Sequence, residues 1–222
     1  MLVLCDFDGT ITEVDVTDLI WNDRISATER LRMTQEVEAG RWNMLSYIAH
    51  GYAFVQEPPD QLLDQLVREV RLRKGWLRFV EAVAASLVSL HIVSNGLSFY
   101  IRRFLPESIA VTCLVARFDG VYDIQLPAGC VLLPGEDFKV NRVRALLSRY
   151  PGQPSVYVGD GRADFAPALL CDQVFAVRGS RLAALRKAQG LATTEFESFD
   201  AVTNLVLAEG ALQAPGRSRA AR

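Results

Sequence analysis

Apolar residues along this 222-residue chain gather in short unbroken runs at 2–7, 87–94, 155–159 and 174–177, the first three bounded by Asp, Asn or Gly. Runs of this length without alternation predict strands buried on both faces. Between them, at 97–105, 140–150, 165–170 and 181–189, apolar positions recur with helical period. Strands alternating with helices predict a parallel sheet covered by helices, an α/β architecture. A further run at 109–117 leads through Asp119-Gly120 into 121–126, and an Asp-Gly pair between two β-rich runs predicts a hairpin.

The stretch 12–74 follows a different pattern. Leu19, Ile20, Ile25, Leu31, Met33, Val37, Trp42, Leu45 and Ile48 are spaced for helices, Pro58-Pro59 interrupts them, and Leu62, Leu63, Leu66 and Val67 resume. The pattern predicts a helical unit inserted after the first strand. The chain then divides into a discontinuous core (1–11 and 75–213) and a helical cap (12–74). The tail at 214–222, rich in Pro, Gly, Ser, Arg and Ala, is expected to be disordered.

Composition narrows the partners. Half the residues are hydrophobic and 23% are charged, as in an ordinary globular protein, and the net charge of -2 gives no field that favours nucleic acid or an anionic membrane. No apolar run approaches the ~18 residues of a membrane span. The four cysteines are scattered with no C-x-x-C pair, which argues against a zinc ribbon or a disulfide framework and for a reduced, cytoplasmic setting.

Ligands of open parallel sheets bind beyond the carboxyl ends of the strands, so the polar residues that end each run carry the candidate chemistry. They are Asp6 and Asp8, then Ser94-Asn95-Gly96, Lys139 at a helix start, and Asp160 with Asp164 in Gly-Asp-Gly-Arg-Ala-Asp. Acids, a hydroxyl, an amine and glycines in one place suit a phosphate together with a hard divalent cation. Asp6 and Asp160 would supply oxygen ligands of the kind Mg²⁺ accepts. Asp6 would attack phosphorus, and Asp8, two residues on along an extended segment, would exchange protons with the leaving and entering oxygens. Ser94, with the backbone N–H groups of Asn95 and Gly96 at a helix start, would hold phosphate oxygens beside the charge of Lys139. Asp15 and Arg41 are the candidates on the cap for reading the rest of the substrate.

Asp6-Phe7-Asp8-Gly9-Thr10, Ser94 with Asn95-Gly96, Lys139, and Gly159-Asp160-x-x-x-Asp164 resemble the four motifs of the haloacid dehalogenase superfamily, in order. The resemblance implies a Rossmann-like core and an aspartyl-phosphate intermediate. It also implies Mg²⁺ held by the side chains of Asp6 and Asp160 and the backbone carbonyl of Asp8, with Asp164 supporting the metal shell and Lys139. The helical insert resembles the cap of the phosphoserine phosphatase-like branch. Within that branch, Gly96 to Tyr100, Ala116 to Asp119 and Phe175 to Arg178 look most like the methionine-salvage phosphatases. The chain departs from phosphoserine phosphatases in having Asp15 where they place a Glu and Ala163 where they show Asn. The expected activity is a Mg²⁺-dependent phosphomonoesterase acting on a small phosphorylated metabolite. A phosphomutase or phosphotransferase with the same intermediate, and a non-catalytic binding protein of the same fold, stand as alternatives.

Overall fold

The structure, a computed structural model, describes residues 1–133 and 136–213. The tail at 214–222, expected to be disordered, lies outside the described residues. The chain opens with β1 (Leu2–Cys5) and then runs through α1 (Val16–Trp21), α2 (Ala27–Glu38), α3 (Met44–Tyr52), α4 (Pro59–Glu69) and α5 (Trp76–Ala84). There follow β2 (Ser89–Leu97), α6 (Ser98–Phe104), the hairpin β3 (Ala110–Phe118) and β4 (Tyr122–Gln125), and α7 (Phe138–Leu147). The last part holds β5 (Ser155–Gly159), a 3₁₀ turn at Arg162–Asp164, α8 (Phe165–Ala168), β6 (Gln173–Val177), α9 (Arg181–Ala188), β7 (Thr194–Phe196) and α10 (Asp200–Gln213).

Local sequence accounts for most helix starts. Asp15, Ser26, Asn43, Asp137 and Ser180 each accept a first-turn backbone N–H at the N-cap of α1, α2, α3, α7 and α9, which satisfies a donor the helix cannot use itself. Pro59 takes the first position of α4, where its missing N–H is harmless.

The seven strands form one sheet in the order β4-β3-β2-β1-β5-β6-β7, parallel except for the antiparallel β3–β4 pair. β1 is the inner strand that both halves share: Leu2 is level with Ser89 on one side and Ser155 on the other. Its side chains alternate between two cores. Val3 and Cys5 pack with α1–α6, while Leu2 and Leu4 pack with residues of α7, α8 and α9. This explains a strand that is apolar at every position. Strand order reverses on either side of β1, so a crevice opens beyond its carboxyl end, between β2 and β5.

The sheet, the hairpin and the helices between strands follow the expected pattern, with three differences. Leu87 is 77% exposed and precedes β2 rather than opening it. Leu31 and Val67 sit in helices as expected but face solvent. Thr12, at the start of the 12–74 stretch, makes an isolated antiparallel bridge with Leu72 near its end, which closes the stretch on itself. No described helix is long and apolar enough to cross a membrane.

Candidate active site

Asp6 continues the β1 ladder, its N–H donating to the Val158 carbonyl at 2.9 Å. The chain then turns sharply at Gly9, whose φ of +71° and close approach to the Asp160 carboxylate leave no room for a side chain. Arg73 fixes the turn from below. Its guanidinium donates to the carbonyls of Gly9 (2.6 Å), Thr10 (2.7 Å) and Thr12 (3.3 Å).

The end of β5 brings the second set of acids. Thr10 donates its hydroxyl to Asp160 Oδ1 at 2.8 Å, tying the β1 loop to the β5 loop. Asp164 is fully buried and fully used. Its Oδ2 accepts the N–H groups of Asp160 (3.0 Å) and Gly161 (2.9 Å), and its Oδ1 accepts the Tyr157 hydroxyl (2.8 Å) and Lys139 Nζ (2.7 Å). Lys139, also buried, places the same Nζ 2.9 Å from Asp6 Oδ1, a contact of charges without hydrogen-bond alignment. One ammonium thus bridges Asp6 and Asp164.

Ser94, Asn95 and Gly96 were expected at a helix start. They lie instead within β2, because the pairing with β3 shifts register between Ser94 and Leu97 and the strand continues to Leu97 before α6 begins. The Gly96 N–H is engaged by Ser94 Oγ at 2.9 Å, whereas the Asn95 side-chain amide is buried with no hydrogen-bond partner. Asp8 is held on both oxygens. Oδ1 accepts the Val16 N–H at 3.3 Å, and Oδ2 accepts the Tyr100 hydroxyl at 2.9 Å with Ser94 Oγ farther off at 3.4 Å.

Asp6, Asp8, Ser94, Asn95, Gly96, Lys139 and Asp160 border one cavity of about 450 Å³. Its far wall comes from α1–α3 and their flanks: Asp15, Thr17, Trp21, Val37, Met44, Tyr47 and Ile48. Arg41 is not among the lining residues and pairs with Glu36 at 2.6 and 2.9 Å. Arg162 and Glu38, both on the cavity rim, form an ion pair of 2.9 Å that joins the 3₁₀ turn to α2.

The electrostatics favour an added cation. Burial, then the Asp164 charge, pushes Asp6 up to about 7 despite Lys139, and burial with the charges of Asp164 and Asp6 pushes Asp160 up to about 8. Burial, followed by the charges of Asp15 and Asp6, raises Asp8 as well. Burial works against the Lys139 charge, but Asp164 and Asp6 outweigh it and hold the ammonium well above its usual range. Asp6, Asp160 and Asp164 each offer a carboxylate oxygen within 4.8 Å of the others. The four donors already on Asp164 make it a brace, whereas the Asp6 carboxylate, whose Oδ1 meets Lys139 only as a charge, and the Asp160 oxygen not bound by Thr10 suit a hard divalent ion.

The sequence model of the haloacid dehalogenase-like hydrolases matches residues 3–168, three-quarters of the chain and all of the motifs just described. The chain belongs to this family. Among curated relatives, the 2-hydroxy-3-keto-5-methylthiopentenyl-1-phosphate phosphatase of Exiguobacterium sp. (strain ATCC BAA-1283 / AT1b) is 25% identical over 89% of this chain and 93% of its own. The phosphatase of the same name from Geobacillus kaustophilus (strain HTA426) is 28% identical over 79% of this chain and 82% of its own. A substrate-bound phosphoserine phosphatase complex shares the fold, with a TM-score of 0.71 at 15% identity over 92% of this chain and 97% of that one. The Rossmann-like core expected of a haloacid dehalogenase-like hydrolase is therefore present.

Arg73, Tyr157 and Thr17 escaped the sequence reading, and Thr10 and Tyr100, though part of the quoted motifs, were not given their hydrogen-bonding roles. Arg73 follows the β1 loop by more than 60 residues and Tyr100 follows Asp8 by 92, and nothing local marks either as a partner of that loop.

Proposed function

We propose that this haloacid dehalogenase-like hydrolase is a Mg²⁺-dependent phosphomonoesterase of a small phosphorylated metabolite, with α1–α4 as a cap over residues 12–74. The observation that carries the reading is the convergence of Asp6, Asp8, Ser94, Lys139 and Asp160 on one cavity. Mg²⁺ would be held by Asp6, Asp160 and the Asp8 backbone carbonyl, and when bound it would neutralise the carboxylates and draw charge from the phosphoryl oxygens.

The chain's own groups supply the rest. Asp6 attacks phosphorus, forming an O–P bond to its carboxylate as the ester P–O bond breaks, and Asp8 gives its proton to the departing alkoxide. The raised affinity of Asp8 for a proton suits that role. As a carboxylate, Asp8 then takes a proton from water, whose oxygen attacks the aspartyl phosphate and frees Asp6 and inorganic phosphate. Lys139 and Ser94 stabilise charge on the phosphoryl oxygens throughout. Asp164 and Tyr157 hold Lys139 in place.

The far wall bears on the substrate. Trp21, Val37, Met44, Tyr47 and Ile48 give it an apolar surface beside the acidic Asp15, Asp18 and Glu38, and every cation among the described lining residues (Lys139, Arg162, Arg181) comes from the sheet side. The one cation among the described lining residues that reaches that wall, Arg162, is paired with Glu38, so a carboxylate at the end of the substrate distal to its phosphate finds no unpaired cation there, and an apolar tail finds contact. The reading therefore favours an ester with an uncharged, apolar tail. In phosphate-release assays with Mg²⁺, 2-hydroxy-3-keto-5-methylthiopentenyl-1-phosphate is expected to exceed phosphoserine in kcat/KM by at least about tenfold, the scale of one well-buried apolar group. Preference for phosphoserine would overturn this specificity, and no release from any ester would overturn the phosphomonoesterase.

Metal binding carries its own prediction. Asp6 and Asp160 take up protons more readily when folded than when unfolded, so between about pH 4 and 8 the native state binds more protons and their contribution to stability falls as pH rises. Bound Mg²⁺ would offset the burial and the carboxylate repulsion behind that loss. The rise in Tm on replacing EDTA with Mg²⁺ is expected to be larger at pH 8 than at pH 5, and an equal rise at both would count against Asp6 and Asp160 as ligands.

A further inference from the structure

Asp8 must present one oxygen to the substrate in a fixed direction, and the structure shows what aims it. The Tyr100 hydroxyl donates to Asp8 Oδ2 at 2.9 Å and lies 3.2 Å from Thr17 Oγ1. With the phenol proton committed to Asp8, Thr17 is the donor to Tyr100. All three side chains are buried. Tyr100 comes from α6 on the sheet, and Thr17 from α1, the helix whose first N–H, that of Val16, meets Asp8 Oδ1. Gly96 allows the arrangement, because a Cβ there would overlap both the Asp8 carboxylate and the Tyr100 hydroxyl.

We infer that Tyr100 is a positioning residue for proton transfer by Asp8, braced by Thr17. Tyr100 pins Oδ2 and leaves Oδ1, whose only partner among the described residues is the long contact to Val16, as the oxygen that passes a proton to the leaving group. Because Thr17 and Val16 belong to α1, the aim of Asp8 depends on the seating of the helix that also forms part of the far wall. Phenylalanine would fill the same space but could not hold Oδ2, and Asp8 would swing between orientations of which only some are productive. This inference rests on the phosphomonoesterase reading and deepens it.

The test uses leaving groups that differ in their need for a proton. An alkoxide needs one from Asp8, whereas 4-nitrophenolate departs without it. The probes are 4-nitrophenyl phosphate and an alkyl ester, either phosphoserine or pentyl phosphate, whichever the wild type turns over faster. For Tyr100→Phe, kcat on the alkyl ester is expected to fall about tenfold, part of the 10²–10⁴-fold that a positioned acid contributes, with KM changed by less than about twofold. The fall on 4-nitrophenyl phosphate should stay below about twofold. Thr17→Val, which keeps the shape and removes the brace, should show the same selectivity to a smaller degree. Equal losses on both esters, or none on either, would overturn the role of Tyr100 while leaving the phosphomonoesterase intact. A wild type inactive on every ester would overturn that reading itself.

Discussion

Replacing Asp6 with Asn is expected to lower kcat/KM for phosphate release by at least about 10⁴-fold, the scale on which removal of a covalent nucleophile acts. The amide matches the carboxylate in size but cannot form the aspartyl phosphate. The fold should survive it. Asn at this position ends the repulsion between Asp6 and the Asp160 and Asp164 carboxylates, and Lys139 keeps its 2.7 Å partner Asp164. Thermal melts in EDTA at pH 8 are thus expected to place the variant within a few degrees of the wild type. Substantial turnover by a folded Asp6→Asn protein would remove Asp6 as the nucleophile.

Lys139→Met should damage both stability and turnover. Among the described residues the ammonium is the one cation in contact with Asp6 and with the fully buried Asp164. Breaking a buried pair by deleting one partner costs about 3–5 kcal/mol, because the other charge stays behind without compensation. In a domain of this size that corresponds to a fall in Tm of roughly 10 °C. Loss of a fixed positive charge at the phosphoryl site should lower kcat by about 10²-fold or more. Added Mg²⁺ should restore part of the stability, through Asp6, and none of the lost charge on the phosphoryl side. A variant with wild-type Tm would show that the site does not depend on Lys139 for its folding.

The parts of this protein legible in its sequence are those governed by local pattern. β1, β5 and β6 are apolar at nearly every position, the β3–β4 hairpin is announced by Asp119-Gly120, and capping residues mark the helix starts. The elements that went unread have weaker signals. β7 is three residues long, with Thr194 and Glu195 exposed. α5 follows a glycine N-cap that makes no side-chain hydrogen bond, so Trp76 and Phe79 gave no helix start to recognise. These two rings meet Phe199 just before α10, a contact across more than 100 residues that no window along the chain contains.

The site divides in the same way. Asp6, Asp8, Lys139, Asp160 and Asp164 stand at strand ends and a helix start, positions the periodicity itself locates. The helix at 97–105 was read to within a residue, but Ser94, Asn95 and Gly96 were placed at its start rather than in β2, because the register shift after Ser94 depends on how β2 meets β3, a property of the pair. Arg41 was singled out for its chemistry, and chemistry alone did not reveal that Glu36 takes its guanidinium. Tyr100 was noted only as the end of the segment Gly96 to Tyr100, and its hydrogen bond to Asp8 required the turn at Gly9 and the seating of α1 together.

The place of β1 in the sheet governs the order in which this protein can be made. The strand is made before every other strand of the sheet, yet one of its two neighbours, β5, begins only at Ser155. At about 5–20 residues per second, synthesis leaves an apolar edge open for roughly ten seconds or more. During that interval the nascent chain carries Asp6 and Asp8 but has no Asp160 to face them. A transcript cut short before residue 155 would yield a polypeptide with both an unpaired hydrophobic strand and half a reaction centre, a natural target for chaperones and proteases. The pairing that covers the second edge of β1 and the arrival of Asp160 are one event.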